Sequence, residues 1–431
     1  MEHNFTSFAI TDFLRTKQQV LSWCNQFSTC CFLDNHQYRF NHHSYECIAA
    51  AGAASFIEAE AGSALQQLQQ YQLQHPGWLF GHLGYDLKNE LEPLQSVNPD
   101  FVQFPDLYFF SPQTVLLLRR HELCIGAGSH QEAAAAFAAV SAMPVSAYPA
   151  AAAPIAFQQR LSKPGYIASI EQLRRHILRG DCYEINFCQE FFAEQVNIDP
   201  AAVYRALSAV SPSPFAAFYK LQQKYLLCAS PERYLKKEGS KIISQPIKGT
   251  SRRNLHDGVA DEASRHALYN SSKDRSENVM VVDLVRNDLS KICIEGSVQV
   301  DELFGIYSFP QVHQMVSTVS GTLQAAMPFT EIISNTFPMG SMTGAPKRKV
   351  MELIEQYETV KRGIFSGAAG YISPEGDFDF NVVIRSLLYN QPAGYLSYQV
   401  GSGITFYSDA AAEYEECLLK AEAIKKVFTQ G

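Results

Sequence analysis

No lysine- or arginine-rich block occurs in the 431 residues, and the formal net charge is −8. A general nucleic-acid surface is thereby excluded, and an anionic ligand would have to be drawn by a local cluster of cations. No apolar run approaches the roughly 18–20 residues of a membrane span. Cys-x-x-Cys is missing although ten cysteines are present, and Cys30-Cys31 is merely an adjacent pair. Met1–Phe13 has no signal-peptide pattern, so the thiols read as reduced and mostly buried in a soluble, cytoplasmic protein. Internal repeats are also lacking. What is there, 46% hydrophobic and 18% charged residues, is the composition of a globular enzyme with one large or two ordinary domains.

Alanine dominates residues 131–154. The stretch Glu132–Phe137 suits a helix, and Pro149–Pro154, bracketed by prolines, reads as a linker. The expected division is an N-terminal region, 1–153, without identifiable chemistry, and a catalytic region, 154–431. Helices are expected at 62–73, from Pro164 to Gly180, and at 272–292, 345–358 and 410–428. Strands are expected at 182–193, 241–244, 368–373, 379–389 and 395–400. In the first of these Tyr183, Ile185 and Phe187 face one way, and Glu184, Asn186 and Cys188 the other. Long antiparallel strands interspersed with helices indicate an α+β architecture.

Chemistry concentrates in the second region. Pro246-Ile247-Lys248-Gly249-Thr250 places a lysine where proline and glycine interrupt a strand, a position that commonly faces a cleft. Lys248 is there either a solvated charge or a nucleophile, the latter if its environment lowers its pKa. Asp274 with Glu277, and Glu413 with Glu416, each put two carboxylates on one helix face. Each pair is either a solvated stripe neutralised by Lys273, Arg275 or Lys420, or half of a site for a hard cation.

Further motifs follow in order: Gly180-Asp181-Cys182-Tyr183-Glu184-Ile185-Asn186, Ser230-Pro231-Glu232, Asp283-Leu284-Val285-Arg286-Asn287-Asp288, Phe337-Pro338-Met339-Gly340-Ser341-Met342-Thr343-Gly344-Ala345-Pro346-Lys347, Gly401-Ser402-Gly403-Ile404 and Glu413-Tyr414-Glu415-Glu416. Together with the lysine motif they resemble the chorismate-utilising enzymes, from about Phe157 to Phe428. The resemblance implies two large antiparallel sheets packed in a sandwich-like core with helices outside, both regions contributing. It also implies Mg²⁺ on Glu277 and Glu416 with Asp274 and Glu413 in support. Lysine at 248, where the anthranilate-forming branch usually has alanine, resembles the branch that aminates chorismate at C4. Lys248 would attack C2, Glu232 would protonate the departing 4-hydroxyl, and ammonia would then expel the lysine to give 4-amino-4-deoxychorismate, on the way to p-aminobenzoate and folate.

The other substrate contacts implied are Gly249, Thr250, His313, Ser341, Arg385, Gly401, Gly403 and Lys420. No glutaminase nucleophile motif is visible, so a separate glutamine amidotransferase would deliver the ammonia. Three departures stand out. Phe365 replaces a common tyrosine. Glu184 replaces the glutamine common in amide-forming members, at the place where the water-adding branch carries a basic lysine, so hydration at C2 is not expected. Leu33-Asp34-Asn35 matches only part of the Leu-Glu-Ser element by which many anthranilate synthases sense tryptophan. The rivals are the anthranilate-forming reaction on the same scaffold and, from another class, a non-catalytic ligand-binding or partner-activating subunit.

Overall fold

The computed structural model describes residues 3–38, 42–145 and 154–429. Antiparallel pairing dominates, as the alternating segments require. One layer runs through the strands Thr29–Asp34, Phe215–Leu221, Lys224–Ser230, Ser386–Asn390, Tyr395–Ile404 and Glu184–Ala193. A second runs through Leu79–Leu83, Ala368–Ile372, Phe378–Asn381, Arg233–Glu238, Lys241–Gln245 and Val312–Thr322. The long strands Cys47–Ala59 and Leu107–Arg119 pair along their lengths and join the two, with a register shift between Ala53 and Ser55.

Apolar side chains decide how the layers sit. Tyr219, Leu226 and Leu388 of the first share a core with Phe80, Phe378 and Phe380 of the second. On the other face of the first layer, Phe32, Phe187, Leu227 and Tyr398 pack with Val20, Ile170, Leu353 and Ile424 from helices. Each such burial stabilises by roughly 1.5–3 kcal/mol. This is the expected α+β sandwich. The ten cysteines are all unpaired and buried, as expected.

Strands of the first 145 residues lie between strands of the later chain: Thr29–Asp34 pairs with Phe215–Leu221, and Leu79–Leu83 with Ala368–Ile372. The alanine-rich stretch forms the helix His130–Ser141, capped by the Ser129 side chain, while the proline-bracketed segment before Pro154 lies outside the described residues. In Glu184–Ala193 the expected alternation holds, but every residue is buried. Ile185, Phe187 and Phe191 enter the helix-side core, and Cys188 and Phe192 enter the core between the layers.

Lys248 and Gly249, expected at an interruption of a strand, lie within the strand Ile247–Arg252, and only Pro246 separates it from Lys241–Gln245. Two further elements differ from expectation. The strand expected at 379–389 is split into Phe378–Asn381 and Ser386–Asn390. Between them the Val382 N–H bonds the Glu232 carbonyl, and Arg385 adopts a left-handed φ of 52°. The apolar residues Val382 and Val383 are buried, so the sequence pattern persists where the backbone leaves the ladder. The helix expected at 410–428 breaks at Ala421 into Ala410–Lys420 and Glu422–Thr429.

Candidate active site

A cavity of about 480 Å³ opens where the Ile247–Arg252 strand, the helices Ser272–Ser290 and Ala410–Lys420, and the Arg385 break converge. Lys248, Glu232, Gly249, Thr250, Ser341, Arg385, Gly401, Gly403, Lys420, Asp274, Glu277 and Glu416 all line it. The structure thus gathers residues scattered over about 190 positions of sequence. His313 and Glu413 do not line the cavity.

Lys248 follows Pro246, whose carbonyl accepts the Ser317 N–H, and its own carbonyl lies 3.5 Å from the Asn278 Nδ2 donor. Gly249 has φ 97°, and a Cβ there would stand 3.0 Å from the Asp274 Cβ, so backbone conformation and space both call for glycine. Lys248 Nζ lies 2.5 Å from Glu184 Oε1, and both side chains are nearly sealed from solvent. Burial alone would lower the lysine pKa, but Glu184, Glu277 and Glu416 outweigh it and raise it above the ordinary value. A lysine with a depressed pKa is therefore not what the structure contains: the ammonium is held charged, because carboxylates surround it.

Glu232 is buried among Ser341, Arg385 and Lys248. Burial pushes its carboxyl up to about 7, against the opposing pull of the Ser341 hydrogen bond and the nearby cations. A carboxyl raised that far keeps a protonated population at neutral pH, which suits a proton donor. Arg385 has no hydrogen-bonding partner for its guanidinium among the described residues, and burial lowers its pKa to about 10 despite Glu232. It sits in the break described above and not, as expected, on a strand. Its left-handed backbone costs on the order of 1–3 kcal/mol, and such strain is characteristic of functional sites.

The helices that carry the two carboxylate pairs bring Glu277 and Glu413 to Lys273. Lys273 reaches from one helix to the other, 3.0 Å from Glu413 and 3.9 Å from Glu277. Glu413 also accepts from the Ser408 hydroxyl at 2.8 Å. Glu277 Oε1 and Glu413 Oε2 are buried without a hydrogen-bond partner. Burial raises Glu277 to about 7, with Lys248 and Lys273 pulling the other way. Glu416 is held at about 2, chiefly by Lys420 at 2.9 Å. Among the described residues no group of three metal-ligating side chains is close enough together to hold an ion.

Three expected substrate contacts are differently engaged. Lys420 donates to the Gly401 carbonyl at 3.0 Å as well as to Glu416. Gly401 itself is paired in the sheet with Cys188. His313 is buried with one ring nitrogen 2.8 Å from the Ser308 hydroxyl and the other 3.1 Å from Asp261, so it ties the strand Gln299–Ser308 to the helix Gly258–Asn270 outside the cavity. Residues that the sequence reading did not assign to the site also line the wall, among them Asn186, Lys273 and Gln314. For Lys273 the signal was its spacing of four from Glu277; the cross-helix bond to Glu413 had none.

The floor is held by Arg362. Its guanidinium pairs with Glu358 at 2.6 Å and donates to the Met342 and Asn186 carbonyls at 2.6 and 2.9 Å, while Glu358 accepts the Cys188 N–H. The strand carrying Glu184 and the loop carrying Ser341 are thus tied to one buried ion pair.

Residues 23–426 match the family model for chorismate binding enzymes. The chain belongs to that family. It is 35% identical over 369 residues to aminodeoxychorismate synthase component 1 of Klebsiella aerogenes, covering 83% of this chain and 80% of that one. With the protein of the same name from Escherichia coli strain K12 it shares 33% over 350 residues, 81% of this chain and 76% of the other. Among solved structures it is similar to anthranilate synthase component I from Streptococcus pneumoniae TIGR4, with a TM-score of 0.77, 26% identity and coverage of 90% and 94%. The menaquinone-specific isochorismate synthase MenF of Escherichia coli, at 16% identity and a TM-score of 0.75, shares the fold.

Proposed function

We propose that this chain catalyses the aminodeoxychorismate synthase reaction, converting chorismate and ammonia to 4-amino-4-deoxychorismate. The observation that carries this reading is Lys248, a lysine that lines the cavity within electrostatic reach of Glu232. Arg385, with its unused guanidinium, grips a carboxylate of the substrate by a two-pronged hydrogen bond. Lys248 Nζ, once neutral, attacks C2; the ring double bonds shift and the C4–O bond breaks. Glu232 delivers its proton to that oxygen, so water leaves instead of hydroxide. Ammonia then bonds to C4, the double bonds shift back, and the C2–N bond breaks to release Lys248 as an amine. One hard displacement becomes two easier ones. The product serves p-aminobenzoate and folate formation, and a glutamine amidotransferase partner in the cytoplasm supplies the ammonia. The relatives' designation as component 1 supports a second component. Among the described residues no helix is long and apolar enough to cross a membrane.

A magnesium ion belongs to this reading. The donor set is all carboxylate, and the orphaned oxygens of Glu277 and Glu413 fit a hard cation once Lys273, nearly half exposed, withdraws from between them. Glu277 and Glu416 would hold it, with Asp274 and Glu413 in support. When bound it would offset the ring carboxylate's charge and draw electron density from the ring.

Excess chelator should abolish turnover. A sharper check uses pH: Glu277 must be deprotonated to bind the cation, and its carboxyl stands at about 7. The ascending limb of kcat/KM should therefore move to lower pH as Mg²⁺ is raised. An ascending limb that stays fixed from micromolar to millimolar Mg²⁺ counts against these ligands.

Mass-spectrometric product analysis from chorismate, Mg²⁺ and ammonium tests the activity itself: anthranilate as main product favours the rival reaction, and isochorismate the hydrating branch. Lys248→Ala should still bind chorismate but lose most amination, together with the adduct (one substrate less one water) seen in the intact protein after acid quench. Parental rate with the same product in Lys248→Ala refutes the nucleophile.

A further inference from the structure

Four carboxylates act on Lys248: Glu184, Glu277, Glu416 and Glu232. Only Glu184 makes an ion pair with it. Glu416 is bonded to Lys420, Glu277 lies toward Lys273, and Glu232 is bonded to Ser341. Glu184 Oε2 is buried with no hydrogen-bond partner, so Lys248 is what holds this carboxylate. A buried ion pair kept only for stability needs its remaining lone pairs satisfied to offset desolvation, and this one leaves an oxygen bare. The pocket is also shaped for the pair. A Cβ on Gly403 would stand 2.9 Å from Glu184 Oε1 and within clashing distance of Lys248 Nζ. Opposite, Gly344 lies against the Glu184 carbonyl with a φ of 142°, which seats the strand that carries Glu184.

Resting on the function proposed above, we propose that Glu184 is the base that frees Lys248 for attack. The Nζ–H bond breaks, the proton passes to a Glu184 oxygen, and the lone pair left on nitrogen forms the bond to C2. The nitrogen becomes a secondary ammonium in the adduct. When ammonia enters at C4 the C2–N bond breaks, Lys248 leaves as a neutral amine, and Glu184 returns the proton. The new C4 ammonium gives one proton back to Glu232, so each residue ends as it began. The transfer exchanges an ion pair for a neutral pair without moving net charge into or out of the cavity, which a low-dielectric site favours. Glu184 is therefore a catalytic residue.

The test compares wild type with Glu184→Gln and Glu184→Asp at saturating Mg²⁺ and constant free ammonia, across pH. Saturating Mg²⁺ fixes the ionisation of Glu277, and dividing the wild-type rate by the variant rate cancels the titration of Glu232 that both share. For Glu184→Gln the ratio should be on the order of a hundred at pH 7, and should fall by about tenfold per pH unit as hydroxide replaces the lost base. Glu184→Asp keeps a carboxylate, so its ratio should be nearly independent of pH. A Glu184→Gln enzyme as fast as wild type, or slower by a factor that does not vary with pH, overturns the proposal. So does a Glu184→Asp ratio that titrates, and this decides the matter if the glutamine variant fails to bind chorismate. Failure of the underlying function is seen separately, as a different product from the unmodified enzyme.

Discussion

Replacing Glu232 by glutamine should lower kcat by on the order of 10²–10⁴, the range typical of a positioned general acid. The fold should be unaffected, because the amide is isosteric and the Ser341 hydroxyl can still bond to it. The physical basis is burial: at 4% exposure the carboxyl is raised to about 7, and its neutral form is the one that donates. The sign follows directly. Below 7 the acid is protonated and competent. As pH rises through 7 its protonated fraction falls, ultimately by tenfold per unit. The descending limb of kcat/KM, which reports the free enzyme, should therefore have its midpoint near 7 and disappear in Glu232→Gln. A descending limb that survives unchanged in the variant would assign it to another group. A variant with wild-type kcat would remove Glu232 from the chemistry.

The second large effect is on stability. Arg362→Met should destabilise the protein by about 3–5 kcal/mol, the usual result of stripping one partner from a buried ion pair. Glu358, 5% exposed, would be left charged without its counter-ion, and the Asn186 and Met342 carbonyls would each lose a donor. Arg362→Met combined with Glu358→Leu should recover part of the loss, since no charge is then stranded. The Cys188 N–H would still lack its acceptor, so recovery should be incomplete. Denaturant midpoints of the wild type and the two variants are the measurement. Equal destabilisation in the single and double variants would mean that the carbonyl contacts, not the stranded charge, carry the cost. Asn186 and Met342 line the cavity, so a surviving Arg362→Met enzyme should also show a raised KM.

How far the molecule can be read without coordinates differs by kind of feature. Helix 163–179 was legible because local signals agree: a proline in the first turn, apolar residues three and four apart, and Gly180 at the left-handed C-cap. The alternation of 184–193 correctly separated Glu184 and Asn186 from Ile185 and Phe187, since side-chain direction in a strand follows from a period of two. The break at 382–385 was illegible: its apolar pattern continues, and only the pairing of neighbouring strands removes the backbone from the ladder.

The sequence by itself determined the residue types and their local geometry: a lysine after a strand-breaking proline, two pairs of carboxylates each on one helix face, and the ordered motifs that place the chain in its family. These rest on interactions within a few residues, which spacing encodes. Only the tertiary structure decided that the two helices meet across Lys273, that His313 turns to Asp261 and away from the cavity, and that Arg385 is freed by a left-handed turn. It also decided the charge on Lys248. A pKa is the sum of burial and of every charge nearby, and the carboxylates that hold this lysine protonated come from positions 184, 277 and 416, brought together only by the fold.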